Sequence, residues 1–109
     1  MFSKELMKGT LQTIILKLLS ERGKMYGYEI TQHVKELSDG QLVLTEGALY
    51  PTLHKLEAEG FVKTKKQIVG RRTRKYYRLT PKGKKATVSK LAEFQSFIQT
   101  MQLILKPTS

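Results

Sequence analysis

Leu11, Ile14, Ile15, Leu18 and Leu19 recur at helical spacing. They predict a first helix over residues 3–22, with Ser3 as N-cap and Gly23 as a left-handed stop. Ile30, Val34 and Leu37 stand at i, i+4 and i+7. They predict a second helix over residues 26–37 that buries all three, after which Ser38, Asp39 and Gly40 turn the chain. Leu49, Leu53 and Leu56 stripe a third helix, from the capping candidate Thr45 to Gly60. Pro51 sits early in that helix, where it removes one backbone hydrogen bond and favours a kink. Residues 61–69 and 74–79 are rich in β-branched and aromatic side chains, with Gly70, Arg71, Arg72 and Thr73 between them, which predicts a hairpin. A last helix begins with Thr80 as cap and Pro81 at the first helical position, and its pattern carries to about residue 106.

The expected order is helix, helix, helix, hairpin, helix. That is a mainly α fold with a small β-hairpin: a winged helix-turn-helix over residues 1–80, followed by a C-terminal helix over residues 81–109. In the last helix Leu91, Phe94, Ile98, Met101 and Leu105 are spaced 3, 4, 3, 4, the period of a coiled-coil seam. Phe97 and Ile104 widen the stripe. A terminal helix this apolar predicts a homodimer, because alone it exposes a large apolar patch. Folding back onto its own domain is the alternative, and both together are expected.

The chain has 109 residues and no cysteine. Its length suits one domain. Disulfides, thiolate nucleophiles and cysteine zinc sites are excluded, which fits a reducing cytoplasm. The run from Leu11 to Leu19 is broken by Gln12, Thr13 and Lys17, short of a membrane span, and residues 1–7 lack a signal-peptide core. A cytoplasmic protein without a membrane partner is expected.

Charge changes the picture most. Twenty basic residues oppose nine acidic ones, a net charge of +11. Lys63, Lys65, Lys66, Arg71, Arg72, Arg74, Lys75, Arg78, Lys82, Lys84 and Lys85 form one block, and no acidic residue lies between Glu59 and Glu93. Such a block repels itself unless a polyanion meets it, and nucleic acid is the polyanion that suits this fold. A merely solvated cationic surface is the alternative. Catalysis has little support. His33 and His54 fall on different helices, Asp39 has no partner carboxylate, and no glycine-rich phosphate loop occurs. No enzyme, metal or cofactor is expected.

Three strings carry a family resemblance: YGYEI from Tyr26, TEGALYPTLHKLEAEGFV from Thr45 and GRRTRKYYRLTPKG from Gly70. Together they resemble the PadR family of bacterial transcriptional regulators over essentially the whole chain. The resemblance implies a homodimer joined by the C-terminal helix, a promoter inverted repeat as target, and repression. Chain length and the single C-terminal helix resemble a short subgroup that includes multidrug-responsive repressors. Some of those stack planar drugs between tryptophans at the dimer interface. This chain has no tryptophan, so that binding mode does not transfer. An effector space lined by Phe94, Phe97, Met101 and first-helix residues such as Leu11 is still implied, against the alternative of a dry packed interface.

Sorting the third helix at 100° per residue, with Leu49, Leu53, Leu56 and Gly60 inward, names the groove-facing candidates. They are Gly47, Ala48, Tyr50, Pro51, Thr52, His54 and Lys55. Small residues at 47 and 48 let the backbone approach DNA, and amides from Thr45 onward suit a phosphate. Tyr50, on the flank, reads equally well as core edge. Arg71, Arg72, Arg74 and Lys75 are the wing candidates for phosphate or a narrow minor groove, with Lys66 on the strand before them. By resemblance Tyr26 lies near the DNA backbone; an aromatic packed under the wing is the equal alternative. The leading expectation is sequence-specific DNA binding. The rivals are a nonspecific nucleoid-type protein and a winged helix used only to bind proteins, which the basic wing argues against.

Overall fold

The computed structural model describes residues 2–108. Its elements are α1 (Lys4–Met7), α2 (Leu11–Arg22), β1 (Lys24–Tyr26), α3 (Gly27–Leu37), α4 (Glu46–Ala58), β2 (Val62–Val69), β3 (Arg72–Leu79) and α5 (Pro81–Ile104). The core is where the apolar stripes meet. Ile15, Leu16 and Leu19 of α2, Ile30 of α3, and Leu49, Leu53 and Leu56 of α4 are buried, and the sheet closes over them with Met25, Val62, Tyr77 and Leu79. Each such side chain contributes about 1.5–3 kcal/mol on leaving water.

Local chemistry sets the helix ends. Thr45 Oγ1 accepts from the Ala48 N–H at 3.2 Å, starting α4. At its far end Gly60 takes a φ of +79°, and the Phe61 N–H reaches back to the Leu56 carbonyl at 2.9 Å, a six-residue closure that a left-handed residue permits. Thr80 joins the wing to α5. Its hydroxyl donates to the Gly60 carbonyl at 2.6 Å and accepts from the Gly83 N–H at 3.0 Å. A Cβ at Gly83 would overlap the Phe61 carbonyl oxygen, so only glycine lets α5 start this close to the wing.

Several expectations change. The first helix is not continuous: residues 8–10 form a turn, with Gly9 at a φ of +85°. No residue of 4–7 is fully buried and only Met7 packs against the core, so little packing free energy opposes the break. The hairpin is part of a three-stranded antiparallel sheet in the order β1-β3-β2. The short strand β1 carries too few residues to show a period. Arg72 and Thr73 belong to β3, which leaves only Gly70 and Arg71 at the turn. The third and last helices end at Ala58 and Ile104, before residues 60 and 106. Leu37, expected inside, is 73% exposed, because none of the described residues covers the end of α3.

The molecule measures 61 × 29 × 21 Å with a radius of gyration of 15.5 Å, against about 13 Å for a compact chain of this length. The excess comes from α5, whose 24 residues span roughly 36 Å. Its first half packs on α2. Gly83 and Thr87 are buried, Leu91 and Phe94 half-buried, and beyond them the apolar stripe runs on uncovered.

Candidate nucleic-acid interface

Opposite its buried leucines, α4 presents an open face. Gly47, Pro51, His54 and Lys55 are exposed, and Ala48 and Thr52 half-exposed. The helix continues without interruption through Pro51. The carbonyl freed by the missing N–H belongs to Gly47, on the exposed face, where water can satisfy it. Thr52 Oγ1 donates back to the Ala48 carbonyl at 2.8 Å. Tyr50 lies across the start of α3: a Cβ on Gly27 would stand 2.5 Å from its hydroxyl oxygen. Tyr50 is therefore a core-edge residue whose hydroxyl end borders the open face.

The sheet sorts its side chains by alternation. One face, turned toward the core and α4, carries Val62, Thr64, Lys66 and Ile68 on β2 opposite Leu79, Tyr77, Lys75 and Thr73 on β3. Thr64 Oγ1 donates to Glu57 of α4 at 3.4 Å. The other face carries Lys63, Lys65 and Gln67 opposite Arg78, Tyr76 and Arg74, with Lys24 and Tyr26 of β1 beside them. Like charges are thus paired across strands: Lys66 with Lys75, Lys63 with Arg78, and Lys24 with Arg78. Such pairs destabilise a sheet on their own, a cost that a bound anion would offset.

Aromatic rings order part of this charge. Tyr26 and Tyr76 meet edge to face at 5.5 Å. The Arg74 guanidinium sits 4.4 Å from the centre of the Tyr26 ring, and Lys24 Nζ 4.9 Å from that of Tyr76. Lys75 Nζ lies 5.6 Å from the Tyr77 ring. Tyr26 also caps α3, where its N–H donates to Glu29 at 3.1 Å. Tyr26 thus packs against the wing, with Tyr76 and Arg74 on its ring. Arg71 and Arg72 at the tip are exposed.

Tyr26, Gly27, Tyr28, Tyr50, Arg72, Arg74 and Lys75 enclose a cleft of about 540 Å³ between the start of α3 and the wing. A second groove, of about 660 Å³, separates the N-terminal turn from α4, with Lys4, Lys8 and Lys55 on its rim and Thr45, Gly47 and Pro51 along one wall. Sequence reasoning missed Lys4 and Lys8 because it ran the first helix through them; Gly9-Thr10, a stop followed by a capping residue, is the signal that marks the break. Beneath the cleft Tyr77 is buried. Burial, then the charges of Tyr50 and Glu57, raise its phenol pKa from the usual 10.0. The described residues hold no group of three or more metal-ligating side chains, and none of their helices is long and apolar enough to cross a membrane.

Residues 15–89 match the model of the PadR-like family of transcriptional regulators. The chain belongs to that family. Its members are transcriptional regulators rather than enzymes. A transcriptional regulator of Mycobacterium tuberculosis is 41% identical over 63 residues, which cover 58% of this chain and 56% of that protein. The matched region thus spans little more than half of that relative. A transcriptional regulator from Clostridium thermocellum superposes with a TM-score of 0.87 at 33% identity, over 97% of this PadR-like chain and all of the other. Bacillus subtilis PadR, solved in complex with operator DNA, superposes with a TM-score of 0.68 at 35% identity, over 78% of this chain and 48% of its own.

Proposed function

We propose that this PadR-like protein is a dimeric, sequence-specific repressor acting in the cytoplasm on an inverted repeat in promoter DNA. The observation that carries the reading is the open face of α4 standing beside a wing whose like-charged cross-strand pairs a bound anion would relieve. In this reading α4 enters the major groove. His54 and Lys55 meet base edges there, Gly47 and Ala48 allow close approach, and the amides after Thr45 face a phosphate. Tyr26, Tyr50, Lys66, Arg72, Arg74 and Lys75 hold the adjoining backbone, and Arg71 extends past it from the tip. That a relative of this fold was solved in complex with operator DNA supports DNA as the partner.

Dimerisation is the second element of the proposal. Phe97, Ile98, Ile104 and Leu105 are exposed on α5, next to the half-buried Leu91, Phe94 and Met101. The stripe continues into an apolar groove of about 390 Å³ between α2, α3 and α5, lined by the exposed Leu37, the half-buried Ile14 and Phe94, and the edge of the buried Leu18. A second copy of α5 matches both surfaces and sets the two recognition helices about 34 Å apart. The same space is where a planar apolar effector would act, by altering that separation. A thermal-shift screen of planar aromatic compounds tests this; uniform silence leaves a dry interface.

The test of the main reading is selection from a random-sequence duplex pool, followed by titration of the enriched and a scrambled duplex at two salt concentrations. Enrichment of an inverted repeat with one helical turn between half-sites is expected. Equal affinity for both duplexes, vanishing with salt, would establish the nonspecific alternative instead.

A further inference from the structure

Among the described residues Ile68 is the most exposed large apolar side chain, at 82%, and it stands on the wing. Its surroundings are cationic. Lys66 precedes it on the same face, Thr73 lies opposite, and Arg71 and Arg72 follow across the turn. A second copy of the chain is a poor partner for this spot, because its own wing carries the same positive charge. The position along the face is informative. Thr64, which bonds to Glu57 of the recognition helix, lies on this face of β2, and Ile68 is four residues further out, roughly 13 Å at strand spacing. That displacement matches the width of a major groove, about 12 Å. With α4 in the major groove and the strand running along the duplex, as the DNA-binding reading has it, the tip would reach the neighbouring minor groove. Apolar side chains among cations suit that groove, where they press on sugars and base edges while the cations meet phosphate.

We propose that Ile68 is an apolar minor-groove contact that makes the wing favour A·T pairs beside each half-site. In the minor groove a G·C pair presents an exocyclic amino group that A·T lacks. That polar group would occupy the space of the branched side chain and leave its hydrogen bonds unmade against Ile68. Arg71 and Arg72 add attraction to the narrow groove of A·T runs. Ile68 thus supplies preference, and the cations around it supply affinity. The inference rests on the DNA-binding reading above.

The probe is the duplex enriched by the wild-type protein, with its wing-side flanks set to A·T pairs. A second version carries 2,6-diaminopurine for every flank adenine, which adds the minor-groove amino group and leaves the major-groove edge of each pair as it was. Wild type should bind the modified duplex about tenfold more weakly, as for one mismatched base pair. Ile68→Ser should bind the unmodified duplex about tenfold more weakly, suffer no further loss on the modified one, and keep the wild-type salt slope because every phosphate keeps its cation. Ile68→Leu should restore the preference. Unchanged melting of Ile68→Ser is expected from its exposure and separates this loss from misfolding. The inference is overturned if Ile68→Ser binds the unmodified duplex as tightly as wild type, or pays the same diaminopurine penalty. A pool that yields no enriched sequence removes the DNA-binding reading itself, and this inference with it.

Discussion

The helices α4 and α5 both carry regular apolar stripes and use them differently. Leu49, Leu53 and Leu56 of α4 are at most 1% exposed, whereas Phe97, Ile98, Ile104 and Leu105 of α5 are 54%, 41%, 65% and 75% exposed. Periodicity shows which face of a helix is apolar. It does not show what covers that face. For α4 the cover is α2 and the sheet of the same chain; for the outer half of α5 the described residues offer none, and the proposed cover is a second copy.

The sharpest way to break this comparison is to charge the uncovered stripe. Phe97→Glu with Ile98→Glu should weaken self-association by about a thousandfold, since unpaired charges in a closed interface cost several kcal/mol. The winged domain should still melt cooperatively. Sedimentation equilibrium decides; a double variant still dimeric at micromolar concentration removes α5 as the interface.

Next comes truncation of one residue on each stripe. Leu53→Ala should destabilise the domain by about 2–5 kcal/mol through its cavity. Ile98→Ala should leave the dilute protein within about 0.5 kcal/mol of wild type and act only where stability depends on protein concentration. Urea titrations at two concentrations separate the cases, and equal losses at both sites would show α5 to be folded onto its own domain.

A smaller effect probes the opposite side of α4. Lys55→Ala should cost about 1–3 kcal/mol on the enriched duplex and relax preference at one position of each half-site. Arg72→Ala should weaken enriched and scrambled DNA alike, with a salt slope shallower by about one unit for each phosphate left without its cation. Anisotropy titrations across salt check both. Reversed behaviour of the two variants would make the wing the reading element.

The smallest effect lies under the cleft. The raised pKa of Tyr77 means that the folded protein holds the phenol proton more tightly than the unfolded chain. The associated stability is fully present below pH 10 and is lost as pH rises from there toward the folded-state pKa. Tyr77→Phe should lose less stability than wild type between neutral pH and the alkaline limb in parallel denaturant titrations. Lysines titrate in both proteins, so the difference between them isolates Tyr77; identical alkaline slopes would remove the effect.

Much of the site was legible because it depends on local rules. The angular sorting around Leu49, Leu53 and Leu56 located the open arc of α4, while Thr45 and Gly60 announced its two ends and Thr80 the start of α5 through capping chemistry. Other features needed the folded chain. The choice between core edge and open surface at Tyr50 turned on Gly27, 23 positions earlier in the sequence, whose missing Cβ makes room for the phenol. Arg74 looked like a free wing cation until β1 brought Tyr26 beneath it. Lys4 and Lys8 were assigned to the first long helix, because the one-turn α1, with only Met7 against the core, is too short to show a period.

The sequence by itself determined the helical stripes, the caps, the cationic block and the family signature, since each follows from spacing or composition within a few residues. Tertiary structure alone decided which cations pair across strands, which rings hold Arg74 and Lys24, and which apolar faces stay open. Those outcomes depend on contacts between residues far apart in the chain, and side-chain spacing carries no information about what a folded chain brings opposite.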